Sequence, residues 1–399
     1  MLKLPRRRAL ALTGAALATP YIARAQQAPG VTATELLVGQ TMPYSGPASS
    51  YAPIGRVEVA YFGMLNDQGG INGRKVKVLS YDDAYSPPKT VEQTRKLVEE
   101  DGVACIYSQL GTPTSLASRK YLNAKKVPQI FVASGATTFG DPEHYPWTIG
   151  WQVSYQIEGR VYARYILEKK PDAKIAMLYQ NDDSGRDFLK GFKDGLGDKV
   201  GQLVMSTSYE TTDPTVDSQV VALQASGADA LFMAGIPKFN AMTLRKVRDM
   251  GWNPIYVIAS VGSSVSSGLM PAGLDKAVGL VTGAYMKDPS DPQWKDDAGY
   301  KDWLAFMQKY MPNADLSDIN NVYGYCSAQT GAQVFKQCGN DLSRANIMKQ
   351  AASLDIQLPM FQNGIRFQTS PTDFLAIKKL RLQRFDGKAW VPFGDPIAA

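Results

Sequence analysis

The chain has 399 residues, 44% hydrophobic and 20% charged, which suits two packed cores better than one. Its formal charge is +6, but residues 1–25 hold five basic side chains (Lys3, Arg6, Arg7, Arg8, Arg24) and no acidic one, leaving 38 of the 43 basic residues against 37 acidic ones. So even a balance gives no reason to invoke nucleic acid or an anionic membrane as partner, and no run of about 18 apolar residues follows the N-terminus to suggest a transmembrane span.

The N-terminus has the layout of an export signal. A basic start at Lys3 to Arg8 precedes a mildly apolar stretch over 9–18, and Ala23-Arg24-Ala25 before Gln26 fits a small-x-small cleavage site. Pro5 and Pro20 bracket the stretch badly for a structural helix. The adjacent arginines lean towards the twin-arginine route; the flanking pattern is incomplete, so Sec export stays open. No cysteine adjoins the cleavage site to carry a lipid anchor, and a freely diffusing periplasmic protein is expected.

Strands expected over 36–41, 76–81, 103–107 and 129–133 alternate with helices over 54–66, 87–100 and 113–125. Gly69-Gly70 ends the first helix, and Pro87-Pro88 opens the second, where proline is tolerated in the first turn. The stretch 145–152, with Trp147 and Trp151, sits between two such runs and is a candidate crossover. The pattern then repeats: strands over 174–179, 202–206, 230–233 and 255–259, with helices over 184–196, 214–226 and 239–250. This alternation predicts two α/β lobes, each a parallel sheet with helices on both faces. Later helices are expected over 294–310, 321–336 and 344–352, and the tail over 365–391 reads as a hairpin around Asp386-Gly387.

Polar loops follow the strands at 45–51, 108–114, 134–138, 181–185 and 259–264. Ligands of open α/β sheets sit beyond the carboxyl ends of strands, and helix N-termini there favour anions. Hydroxyls such as Ser45 and Ser260 add directed hydrogen bonds, so a small carboxylate is the natural guest. Trp151 and Tyr155, at the crossover, are the aromatic candidates for the cleft.

Catalytic patterns are missing. No GxSxG, HExxH, GxxxxGK[ST] or GxGxxG occurs, and the single histidine, His144, lies in a loop-like Asp-Pro-Glu-His-Tyr-Pro run. Asp82-Asp83 reads as a structural strand end. Cys105, Cys326 and Cys338 lack zinc spacing and are expected unpaired. An enzyme, a cofactor and a metal are therefore not expected.

Ser45-Gly46-Pro47 with Tyr51, the stretch 66–83, Ala133-Ser134-Gly135-Ala136-Thr137, and Asn181-Asp182-Asp183-Ser184-Gly185 together resemble the periplasmic solute-binding proteins of branched-chain amino acid ABC transporters, the Leu/Ile/Val-binding type. The resemblance implies a type I Venus-flytrap fold: two doubly wound lobes, 26–150 plus 285–364 and 151–284 plus 365–399, joined by three crossovers and closing on one ligand. It implies a ligand carboxylate held by Thr112 or its neighbours, Gly135, Ala136 and Thr137, with Tyr51 lining the cleft and Ser184 where relatives place an aromatic contact. Tyr85 stands where amino-acid-binding relatives carry a disulfide cysteine. Those relatives also present an acidic residue to the ligand ammonium, whereas the loop here, Ile258-Ala259-Ser260-Val261-Gly262-Ser263-Ser264, has none. A buried ammonium without a partner is costly, so the expected ligand is an aromatic or branched acid lacking an α-amino group. It would be delivered to an inner-membrane ABC permease by a monomeric protein. Binding of branched-chain or other amino acids, or sensing for a separate signalling receptor, are the alternatives; an enzyme would need a nucleophile–base pair that one histidine does not supply.

Overall fold

The computed structural model describes residues 28–398. The export signal read over 1–25 lies outside them. Five strands form the first sheet: β1 (Glu35–Met42), β2 (Lys75–Asp82), β3 (Cys105–Tyr107), β4 (Gln129–Val132) and β5 (Thr148–Gly150). Their order is β2-β1-β3-β4-β5, and all pairs are parallel. The helices between them are α1 (Ala52–Asp67), α2 (Pro87–Arg95) and α3 (Thr112–Ala124).

The second lobe repeats that order. α4 (Tyr155–Lys169) leads to β6 (Ile175–Gln180), α5 (Asp183–Leu196), β7 (Leu203–Tyr209), α6 (Asp217–Ala225), β8 (Ala230–Ala234), α7 (Pro237–Asp249) and β9 (Ile255–Ile258). The short α8 (Leu274–Ala277) precedes β10 (Val281–Ala284). Strands β7-β6-β8-β9-β10 are parallel, as in the first lobe. Strands such as Ala230–Ala234 are buried along their whole length, which is why they read as unbroken apolar runs rather than as alternation.

The chain then returns to the first lobe with α9 (Ala298–Tyr310), α10 (Ile319–Cys338), which packs on α1, and α11 (Arg344–Ala351). A two-stranded ribbon, β11 (Asp355–Ile356) with β12 (Phe367–Gln368), follows. Finally β13 (Lys379–Phe385) and β14 (Trp390–Ala398) extend the second sheet as an antiparallel hairpin. The hairpin turns after Phe385 as read from Asp386-Gly387, but its first strand begins at Lys379, not near 365. Phe367 packs edge-on against Phe131 of the first lobe, so the third crossover lies between β12 and β13, later than the boundary at 365.

Three crossovers thus join the lobes: 151–154, the segment after β10, and 369–378. Two of them are pinned together by a parallel bridge between Val153 and Ile377. The three cysteines are free and buried. Among the described residues no helix is long and apolar enough to cross a membrane.

Candidate ligand-binding site

Both doubly wound sheets point their strand carboxyl ends at a shared cleft. A cavity there is lined by residues of both lobes and of the crossovers, with ≈ 90 Å³ open to the centre of a water-sized sphere. Its walls carry six aromatic rings, those of Tyr51, Tyr85, Tyr155, Phe188, Tyr285 and Tyr323, with Ile54, Leu110, Ile236 and Ile319. Tyr155 and Phe188 stack at 4.1 Å between centroids. Burial pushes the five tyrosine hydroxyls above their ordinary range, so each stays a neutral donor.

No lysine, arginine or histidine lines the cavity. A carboxylate would rely on hydroxyls and backbone amides, and the first lobe offers them at the start of α3. The residue before this helix is Gly111, with φ of 101° and no side chain to cap it. A Cβ there would lie 2.5 Å from the Tyr85 ring, so only glycine fits both the backbone and the space. Tyr85 itself sits at φ 58°, a costly backbone for a bulky residue, held beside Gly111. The first N–H groups of α3 have no partner within the helix. Beside them the Thr112 hydroxyl shares a 2.7 Å hydrogen bond with Ser134.

Of the residues singled out from sequence, Tyr51, Thr112, Ser184 and Ser260 line the cavity, as does Tyr155. Tyr51 also donates across the cleft to the Val261 carbonyl at 2.9 Å, joining the lobes directly. Ser260 gives its amide (3.0 Å) and hydroxyl (2.7 Å) to the buried Glu158, which anchors this loop from below. Burial raises the Glu158 pKa. The Ser184 hydroxyl is bound to Asp182, the residue that caps α5.

The other five sit elsewhere. Ser45 is exposed and donates its amide and hydroxyl to Asp82, at 3.1 and 2.6 Å. Although partial burial acts upward on Asp82, hydrogen bonds from Ser45, Ala84 and Lys89 hold its pKa down at about 2. Asp83 accepts from the Tyr85 amide and the Thr90 hydroxyl, so the acidic strand end is structural. Gly135 packs against the first crossover: a Cβ on it would lie 2.2 Å from the Val153 carbonyl oxygen. The Ala136 amide is taken by Ser134 at 3.1 Å. Thr137 gives its amide (2.8 Å) and hydroxyl (2.9 Å) to Asp187 of the second lobe, at the rim rather than in the cavity. Trp151 is wholly buried; its Nε1–H bonds Thr330 at 3.0 Å, and its ring packs 4.5 Å from Tyr323, supporting the cavity from behind. His144 is exposed beside Asp141.

Sequence reasoning missed a set of lining residues on the crossovers and their edges. Gln152 lies on the first, Asp288 follows β10 on the second, and Gln383 lies on β13 just beyond the third. So the cavity does hold a carboxylate, although the loop 258–264 supplies only Ser260, Val261 and Ser263. Burial pushes Asp288 up to about 6 against the hydrogen bonds from Ser290. Asp318 at the start of α10 is likewise raised by burial to about 6; it accepts from Ser264 of the second lobe at 3.0 Å, a further bond across the cleft.

Residues 35–389 match the family model described as periplasmic binding protein. The chain belongs to this family. Its members bind solutes and are not enzymes, and they work with ABC transporter permeases. The Leu/Ile/Val-binding protein homolog 1 of Brucella abortus (strain 2308) is 24% identical over 314 residues, covering 77% of this chain and 80% of the relative. A branched chain amino acid ABC transporter protein from Thermus thermophilus, solved with bound valine, superposes with a TM-score of 0.81 at 15% identity, over 92% of this chain and 98% of that one. A solute binding protein of an ABC transporter from R. palustris, solved in complex with benzoate, superposes with a TM-score of 0.76 at 18% identity, over the same shares of the two chains. The type I two-lobed fold of this periplasmic binding protein is therefore shared with neighbours that hold chemically different ligands.

Proposed function

We propose that this periplasmic binding protein captures a small aromatic or branched carboxylate without an α-amino group and delivers it, as a monomer, to an inner-membrane ABC permease. Residues 1–25 would direct its export by the twin-arginine or Sec route. The observation that carries the ligand reading is the lining itself: six aromatic rings around a cavity whose second-lobe loop supplies serines and a valine but not the carboxylate an ammonium would need. Thr112 and the open start of α3 would hold the carboxylate, because uncapped helix amides favour an anion without a cationic side chain. Tyr51, Ser184 and Ser260 complete the proposed contacts. Closure would follow from ligand bridging the lobes and shifting an open–closed equilibrium.

Asp288 favours a second reading, an amino acid whose ammonium meets this carboxylate. A thermal-shift screen of aromatic and aliphatic acids against leucine-like amino acids separates the two. At a hundredfold excess over its dissociation constant a true ligand stabilises by about 2.7 kcal/mol. Strongest stabilisation by amino acids, with no response to the deaminated acids, would overturn the first reading.

A further inference from the structure

The cavity floor is made by the crossovers, and its polar groups are not satisfied by the protein. Gln383 is 3% exposed, and its Oε1 has no hydrogen-bond partner among the described residues. Gln152 is 7% exposed; Tyr323 donates to its Oε1 at 3.3 Å, while its Nε2 is unpartnered. Asp288 is 3% exposed, and both hydrogen bonds it receives from Ser290 end on Oδ1, leaving Oδ2 to the cavity. Buried polar groups left open in this way are rare, because each loses its hydration without replacement. Here two of them, Gln152 Nε2 and Gln383 Oε1, belong to residues that line one cavity, and the Asp288 carboxylate lines it as well.

The two buried unpartnered atoms differ in kind: Gln383 Oε1 accepts and Gln152 Nε2–H donates. A carboxylate cannot satisfy the acceptor. An ammonium only donates, and would leave the Gln152 donor open. A neutral hydroxyl donates once and accepts as well, which matches the set. Resting on the acid reading above, we infer that the cognate acid carries a hydroxyl group that donates to the hinge floor at Asp288 or Gln383 and accepts from Gln152. The loops of the lobes then recognise the carboxylate, and the hinge selects among acids by their hydroxyl substitution.

Calorimetric titration of matched pairs tests this: benzoate against 3- and 4-hydroxybenzoate, and 4-methylpentanoate against 2-hydroxy-4-methylpentanoate, with leucine as a further arm. In one pair the hydroxylated acid should bind at least tenfold tighter. Gln383→Met removes the unpaired acceptor at similar side-chain size, and Asp288→Asn keeps an oxygen for Ser290. Each should reduce the preference, read as the ratio of the two affinities within the same variant, to about twofold or less. Equal binding of both members in every pair, or a preference that survives both substitutions, overturns this inference and leaves the acid reading standing. Binding of leucine alone, or of none of the acids, removes the acid reading and this inference with it.

Discussion

In the second lobe the start of α5 is closed by its own chain: the Asp182 carboxylate accepts from the Ser184 and Gly185 amides at 2.9 and 3.1 Å. In the first lobe the start of α3 follows Gly111 and has no side chain to do this. Both helix ends face the same cavity. One is capped by a carboxylate of its own, and the other has no side-chain cap. In the proposed reading the first lobe receives the ligand carboxylate. The second presents apolar and hydroxyl surface and bonds to the first at the rim, through Asp187 to Thr137 and Val261 to Tyr51.

The lobes also differ in how they bury a glutamate beneath their loops. Glu58 of α1 is bound by Gln40 and Ser108, and burial pushes its pKa up to about 8 despite those hydrogen bonds. Glu158 of α4 is raised by burial too and carries the Ser260 loop. Because Glu58 is raised above its unfolded value, its stabilising contribution is complete below about pH 4.5 and is lost as pH rises through about 8. Glu58→Gln should therefore remove a pH-dependent loss of a few kcal/mol between pH 5 and 8. Urea denaturation of both proteins at the two pH values checks this, and an equal gap at each pH would show that Glu58 stays ionised throughout.

Gly111→Ala tests the open helix end next. A Cβ at positive φ against Tyr85 should cost about 1–3 kcal/mol in stability, with a still larger loss of ligand affinity because the ring is driven into the cavity. Denaturation and titration of the same variant read both effects; undiminished affinity would mean that the α3 end is not where the ligand binds. Thr112→Ala should weaken a bound carboxylate by about 1.5 kcal/mol, roughly tenfold, if its hydroxyl bonds the ligand. Asp182→Ala should act the other way round. It should lower stability by about 1 kcal/mol through loss of the α5 cap and change affinity less than Thr112→Ala does. Smallest is Thr137→Ala, below about 1 kcal/mol in affinity, because its hydroxyl serves a partly exposed contact between the lobes. If Thr137→Ala exceeds Thr112→Ala in binding, the assignment of the carboxylate to α3 is reversed.

Much of the scaffold was legible in the chain. Buried parallel strands must be nearly continuous apolar runs, and the helices between them announce their starts with Pro87, Pro113 and Pro237 and their stops with glycine. That alternation also placed the loops that carry four cavity-lining residues, Tyr51, Thr112, Ser184 and Ser260, and the resemblance singled out the first three within them. Ser45 and Thr137 carry the same hydroxyl chemistry on the same kind of loop, yet Asp82 and Asp187 take up their donors. Ser184 and Ser260 line the cavity although Asp182 and Glu158 engage their hydroxyls as well, so nothing in the local sequence distinguishes a loop hydroxyl at the cavity from one outside it.

Thus the sequence by itself determined the two lobes, the alternation within them and the loops that face the cleft, since these follow from short-range periodicity and turn chemistry. Only the tertiary structure decided the floor. Gln152, Asp288 and Gln383 are ordinary polar residues more than a hundred positions apart from first to second and nearly a hundred from second to third, on segments without a motif. They line one cavity because the first and third crossovers are bridged at Val153 and Ile377 and the segment after β10 enters the same cleft, and the unpaired atoms of Gln152 and Gln383 acquire meaning only when burial removes the water that would otherwise satisfy them.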